Sequence, residues 1–391
     1  MSGSPGQRGR AANAAAAFLE TSHVELASRV HAWVEQHLVP RAEARSDDDA
    51  RREARMLLEK IGDAGLLEAI VRQDLRALAL VRDAVASGSP LADAVVALQA
   101  LGGTPIVLAG TEAQRARWLP AITRGRAMAA FAMTEPEAGS DVAAMRTMAR
   151  RDGTGWVLDG EKHLISNAGL ADVHVVFAVT SPGAGSRGIS AFLVPAETKG
   201  LAFAGAQVMA APHPLGRLRF DGCRIPGDAL LGDVDRGFRL GMMTLDRLRP
   251  TVGAAACGMA ARALDETLAH ASSRRQFGAP LGELPIVREK IGRMATELQA
   301  ARLLVYHAAW LKDRGAERIT VEAAMAKSYA TEAAQHIIDE AVQIAGGAGV
   351  LIGAPVERLY RAVRALRIYE GATEVQRLII GGALLREQAR A

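Results

Sequence analysis

An α+β chain is predicted, with a helical block, a strand block and a second, longer helical block in that order. Three observations predict it. Apolar residues recur at helical spacing through the first third. Short β-branched runs bounded by glycine, serine and proline fill the middle. Long stretches with few prolines close the chain. The blocks fall at about 1–130, 131–235 and 236–391, and 391 residues are enough for two or three domains with large cores.

The first block is rich in Ala, Leu, Arg and Glu. In RREARMLLEKIGDAGLLEAI, Met56, Leu57, Ile61, Leu66 and Leu67 recur at helical spacing. Further helices are expected over Leu91–Leu101 and Glu112–Ile122, with Gly102, Gly103 and Pro105 as punctuation between them. The opening MSGSPGQRGR reads as a frayed tail leading into a helix rather than a signal peptide. In the second block, WVLDGEKHLI places Asp159-Gly160 at a hairpin turn. Val173–Val179 and Ile189–Ala196 are strands, and LRFDGCRIPGDALLG adds another before a turn at Pro226. In the third block, helices are expected over Phe238–Ser273, Pro285–Asp313 and Val321–Ala345. Pro250 argues against one straight helix in the first of these. Ile337, Ala341, Ile344 and Ala345 mark a buried stripe that Gly346-Gly347 ends, and Thr373–Gln376 fits a capping box opening a final helix.

Composition narrows the class. Apolar residues make up 49%, and no uninterrupted apolar run reaches the roughly 18 residues of a membrane span. The net charge of +4 is dispersed, which suits anionic ligands such as phosphates but supplies no concentrated basic face for nucleic acid. Cys223 and Cys257 form no CxxC pair, and no histidine cluster has metal spacing. They read as buried thiols of a reducing, cytoplasmic setting.

Six short runs carry candidate chemistry. MTEPEAGSD sets hydroxyls at Thr134 and Ser140 beside Gly139 and Pro136. Such a loop can meet a flat heterocycle or a phosphate, or serve as a plain turn and helix cap. GEKHLISNAG is at least a strand. Asp246 and Arg249 lie three apart on one helix face, as a surface ion pair would. Arg274 in RRQFG has the planar donors that suit phosphate, or is a surface arginine at a helix end. The glycines of VQIAGGAG permit close backbone approach or cap a helix. In IYEGATE, Gly371 lets the Glu370 carboxylate approach a ligand unobstructed, although a helix-start glutamate would look the same.

In this order, the six runs resemble the FAD-dependent acyl-CoA dehydrogenases from about Glu112 to the C-terminus. The resemblance implies an N-terminal helical domain, a central small β-sheet or barrel domain, and a C-terminal four-helix bundle. It implies that Phe131, Met133, Thr134 and Ser140 line the flavin. Thr134 would bond the pyrimidine edge, and Ser140 would face pyrophosphate and substrate. Ser166 would donate near flavin N5, and Leu164 stands where the family carries an aromatic wall. Asp246, Arg249 and Gly371 would border the substrate. Arg274 would reach the FAD pyrophosphate across a subunit boundary, with Gln276 and Phe277 flanking the adenosine half. Gln343 and Gly347 would cover the adenine half from a neighbouring subunit, and Ala372 and Glu374 would touch the nucleotide. Glu370 would be the base. Some relatives carry a glutamate one residue before Arg249, but this chain has Leu248 there.

The activity so implied is removal of an α proton from an acyl thioester by Glu370, with transfer of the β hydride to the flavin. The substrate would be an acyl-CoA or an acyl group on a carrier protein. The acceptor would be an electron-transfer flavoprotein or another oxidant, in a homodimer or homotetramer without membrane or nucleic acid. Met209–Leu218 departs from the family's form. A flavin oxidase or monooxygenase, or a flavin-bound scaffold of low turnover, would keep the fold, and the presence of Glu370 speaks against the first two.

Overall fold

A computed structural model describes residues 11–39, 41 and 44–389, so the expected N-terminal tail lies outside the described residues. Helices α1 (Ala11–Ala14), α2 (Thr21–His37), α3 (Asp47–Asp63), α4 (Glu68–Arg72), α5 (Leu75–Gly88), α6 (Pro90–Ala109) and α7 (Glu112–Thr123) come first. Strands β1 (Ala129–Ala132), β2 (Met148–Asp152), β3 (Gly155–Ser166), β4 (Val173–Val179), β5 (Ile189–Pro195), β6 (Leu201–Ala206) and β7 (Leu215–Ile225) follow. Then come α8 (Gly237–Ser273), the two-residue strands β8 (Arg275–Gln276) and β9 (Ala279–Pro280), α9 (Pro285–Asp313), α10 (Thr320–Ala345), α11 (Pro355–Leu366) and α12 (Thr373–Gln388). The expected α+β order, helical at both ends with a central sheet, is the order observed.

The chain forms two compact units, each discontinuous in sequence. One contains the described residues of 1–43, 74–93 and 246–391, and the other contains 44–73 and 94–245. The second unit is built around a seven-stranded sheet ordered β1-β4-β2-β3-β7-β6, with β5 on the free edge of β4. β1 and β4 run parallel, whereas β3 pairs antiparallel with both β2 and β7. Trp156, Leu158, Phe192, Val194, Leu218 and Phe220 fill the core on the sheet.

Three expectations are corrected. The hairpin turn is at Gly153-Thr154, not Asp159-Gly160. β3 runs straight through Gly160, its register against β7 shifts between Leu158 and Gly160, and a Cβ on Gly160 would come within 2.9 Å of Thr147. Gly102, Gly103 and Pro105 lie inside α6 rather than ending it. A Cβ on Gly102 would come within 2.4 Å of the Ala129 Cβ, so close packing rather than a turn explains that glycine. The helix expected over Phe238–Ser273 is observed as α8, with Pro250 inside it. Finally, Thr373–Gln376 forms no capping box. Thr373 donates to Glu332 and Gln376 turns back to the loop before α12, so tertiary acceptors win both side chains.

By length and composition α6 could cross a membrane, but 83% of its most apolar window is buried within the protein. In the first unit, α10 packs against α9, α11 and α12, and α5 against α2 and α9. Gly253 of α8 sits so close to Val305 and to the Ala326 carbonyl that any side chain would clash. Ile337 and Ala341 are buried on α10, as the stripe predicted, while Ile344 and Ala345 are half-buried. Both cysteines are buried free thiols.

Candidate active site

The first unit builds its site around the loop between α11 and α12. Glu370 adopts φ 53°, a left-handed conformation that a non-glycine residue holds only under constraint, and Gly371 follows at φ 93°. The constraint is a set of donors from three helices. Arg249 Nε of α8 donates to the Glu370 carbonyl at 3.0 Å. Lys327 Nζ of α10 donates to the Gly371 carbonyl at 2.8 Å. Gln376 Nε2 of α12 reaches both carbonyls, at 3.3 and 3.0 Å. At φ 93° residue 371 favours glycine, and a Cβ there would also lie 2.4 Å from Gln376 Nε2.

The backbone is thus held from behind while the Glu370 Oε2 is buried without a hydrogen-bond partner. Burial pushes the Glu370 carboxyl above its ordinary range, and Arg82, Lys327 and Arg249 oppose that push. Lys327 is fully buried, and burial pulls its ammonium down to about 8. Arg82 is buried and held by Asp93 through bonds of 2.8 and 2.9 Å, with a third to Thr251 at 2.9 Å. Asp246 pairs with Arg249 at 2.6 Å and accepts from Thr320 at 2.6 Å, so the pair is an anchor of this loop rather than a solvated surface contact. A carboxylate with one buried, unpartnered oxygen and three cations acting on it is suited to accept a proton from a bound ligand.

The second unit shapes a different surface. β1 ends in the run 133–140. Glu135 accepts from the N–H groups of Arg146 and Thr147 at 2.6 and 3.0 Å, and buried Lys162 bridges it at 2.7 Å while also reaching the Met133 carbonyl at 3.1 Å. Burial works against the charge on Glu135, yet Lys162 and those N–H groups hold its carboxyl below the usual range. This strut fixes the loop. The Thr134 carbonyl accepts from His163 N–H at 2.9 Å. Phe131 is half-buried against Phe177 at 4.8 Å, and the Met133 side chain lies in the core. Ser140 is exposed, next to Gly139 with open space around it. Leu164 is 51% exposed at φ 53°, and Ser166 Oγ lies 2.7 Å from His213 Nε2.

The structure therefore brings Asp246, Arg249, Glu370 and Gly371 together in one unit, and Phe131, Met133, Thr134, Leu164 and Ser166 onto one sheet and its loops in the other. Arg274, Gln276 and Phe277 stand on the exposed β8–β9 hairpin, with Phe277 93% exposed. Gln343, Gly347 and Glu374 are also exposed, and Ala372 is half-buried. Sequence reasoning missed Arg82, Asp93, Lys327, Gln376, Glu135 and His213. A signal existed for some of them: Arg82, Asp93 and Lys327 interrupt the otherwise apolar runs ALALVRDAVA, LADAVVAL and AAMAKSYA.

Three family models match the chain. They are the N-terminal, middle and C-terminal domains of acyl-CoA dehydrogenase, at residues 20–126, 130–223 and 235–385. Probable acyl-CoA dehydrogenase FadE25 of Mycobacterium tuberculosis is 37% identical over 376 residues, covering 94% of this chain and 96% of that one. The human mitochondrial short-chain specific acyl-CoA dehydrogenase is 38% identical over 372 residues, covering 94% and 88%. The solved structure of butyryl-CoA dehydrogenase from Megasphaera elsdenii superposes with a TM-score of 0.89 at 31% identity, covering 94% of this chain and 99% of that one. The chain belongs to the acyl-CoA dehydrogenase family and is an oxidoreductase of the kind that acts on CH–CH groups. That family uses FAD.

Proposed function

We propose that this chain dehydrogenates a short acyl-CoA thioester to the trans-2-enoyl thioester, with Glu370 as general base and bound FAD as hydride acceptor. The observation that carries this reading is the half-buried Glu370 side chain, with its Oε2 buried and without a hydrogen-bond partner, on a strained turn clamped by donors from three helices. Short acyl chains are favoured because the relatives include a short-chain specific dehydrogenase and a butyryl-CoA dehydrogenase.

The residues present fit FAD by their chemistry. Hydroxyls at Thr134, Ser140 and Ser166 suit a polar heterocycle edge and a diphosphate, and Gly139, Gly346 and Gly347 border open space where backbone can approach closely. Phe131, Met133 and Leu164 would hold the flavin half, and by the family resemblance Ala372 and Glu374 would touch the nucleotide. Arg274, Gln276, Phe277, Gln343 and Gly347 would hold the dinucleotide tail of a neighbouring copy in a homodimer or homotetramer, for which their exposure in a single chain is the support. When bound, FAD would supply the acceptor for the β hydride and the two electrons it carries.

The chain's own residues do the rest. Glu370 takes the α proton at its unpaired oxygen. The N–H of Glu370, on a turn whose carbonyls are already held, is free to polarise a thioester carbonyl. Asp246 and Arg249 keep that turn in place. Electrons would leave to an electron-transfer flavoprotein or a comparable acceptor. Glu370→Gln should retain the yellow cofactor and lose nearly all turnover with short acyl-CoA esters. Full activity in that variant would remove Glu370 from the mechanism, and turnover confined to carrier-protein-bound acyl groups would move the substrate away from CoA.

A further inference from the structure

The loop that carries Glu370 leaves α11 at Arg367 and enters α12 at Thr373. Its neck is drawn shut, because Thr373 N–H donates to the Arg367 carbonyl at 3.1 Å. Both sides of the neck then converge on one carboxylate of α10. Arg367 donates to Glu332 through Nε at 2.8 Å and pairs with it again through Nη2 at 2.7 Å. Thr373 Oγ1 donates to the same carboxylate at 2.7 Å, and Thr373 is only 2% exposed. Burial works to raise the Glu332 carboxyl, yet Thr373 and Arg367 hold it below the usual range.

α10 therefore grips the loop twice. Lys327 holds the tip at the Gly371 carbonyl, and Glu332, further along the same helix, holds the neck. The two grips do different work. Bonds at the tip fix the carbonyls of Glu370 and Gly371, whereas bonds at the neck fix the separation of the loop's ends. Glu370 sits at φ 53°, and such strain persists only where the surroundings over-determine the backbone. A slack neck would let that φ relax and turn the carboxylate out of line.

We propose that Glu332 is a positioning residue for proton abstraction: it closes the neck of the base-bearing loop and keeps Glu370 aimed, without touching the substrate. This rests on the reading of Glu370 as the base. Glu332 also bears on the grip at the tip. The charged groups that face Lys327 are Glu370, Glu332 and Glu374, which favour its ammonium, and Arg249, which opposes it. Arg367 and Arg377 face Glu332. Burial already pulls Lys327 down to about 8, so removing the Glu332 charge makes the ammonium lose its proton at lower pH. The amine left behind is a weaker donor to the Gly371 carbonyl.

The test follows flavin reduction in the holoenzyme by saturating butyryl-CoA under anaerobic conditions, with amide hydrogen exchange across residues 367–373 alongside. Glu332→Gln keeps the shape and removes the charge. It should slow the limiting rate about tenfold and leave the half-saturating butyryl-CoA concentration within about twofold. It should also move the basic limb of the rate to lower pH, and the loop amides should exchange about tenfold faster. Thr373→Val removes one contact and should slow reduction about threefold, and Thr373→Ser should restore it. In the Thr373→Val background Glu332→Gln should cost less than in wild type, because the two share a bond. A wild-type limiting rate in Glu332→Gln overturns the proposal, and so does an unmoved basic limb, the mark of a residue that serves folding alone. Where Glu332→Gln does not retain FAD, Thr373→Val decides, and a wild-type rate there overturns the proposal. Glu370→Gln separates the two readings. Full reduction in that variant removes the base itself, whereas its loss beside a normal Glu332→Gln overturns this inference alone.

Discussion

Lys327→Met removes a fully buried ammonium that donates at 2.8 Å to the carbonyl of Gly371. A hydrogen bond involving a charged group contributes about 1.5–3 kcal/mol. If that contribution serves to hold the Glu370 turn, its loss lowers kcat/KM roughly tenfold to a hundredfold, at about 1.4 kcal/mol per factor of ten. The same substitution deletes one of the cations that oppose the upward push of burial on Glu370. The base then gives up its proton less readily. The acid limb of the pH profile of kcat/KM should therefore move to higher pH, because the general base works only when ionised. Lys327→Arg returns the positive charge and should bring the limb back, even where geometry is imperfectly restored. The assay is steady-state turnover with butyryl-CoA and an artificial electron acceptor, across pH, for wild type and both variants. An acid limb unmoved in Lys327→Met, with kcat/KM within about twofold of wild type, would refute the reasoning.

Two further outcomes follow from buried charge. Lys162→Met strands Glu135, which is 6% exposed, and should cost about 3–5 kcal/mol in urea unfolding while weakening FAD retention by the loop it supports; a cost below about 1 kcal/mol would remove the strut from the account. Glu370 is raised chiefly by burial, so the folded state holds its proton more tightly than the unfolded chain. The stability this contributes is present below the ordinary value of 4.5 and is lost as pH rises through the raised one. Glu370→Gln should therefore match the wild-type thermal midpoint near about pH 4 and exceed it near about pH 8. A difference that is flat with pH would contradict the assignment.

Long-range order was legible where local rules and packing agree. The expected helix Pro285–Asp313 is α9 residue for residue, with Pro285 at the helix start where its missing N–H is harmless. The run Val173–Val179 is β4, apolar except for His174, and almost all of it is buried. Local rules failed where a neighbour imposes the conformation. Asp159-Gly160 has turn chemistry, but the glycine is required by the approach of Thr147 and not by a reversal. Gly102 looked like a helix end and is a packing contact. Thr373 and Gln376 have capping chemistry, but Glu332 and the Glu370–Gly371 carbonyls claim them.

The site shows the same division. Asp246, Arg249 and Glu370 were read from spacing and resemblance, and the structure joins them through Arg249. Arg82, Asp93 and Lys327 were not read, because what distinguishes them is burial beside one another, and burial of single charges in alanine-rich helices leaves only a faint mark on a sequence. His213 lies 47 positions from Ser166, and no periodicity connects a loop to a strand end.

The central claim, that Glu370 acts as base on an acyl thioester beside a bound flavin, is tested most directly by anaerobic titration of the purified yellow protein with butyryl-CoA. The account predicts rapid bleaching of the flavin by wild type and its near-complete loss in Glu370→Gln at equal FAD content. Bleaching at the same rate in both proteins would contradict it, as would protein that takes up no FAD.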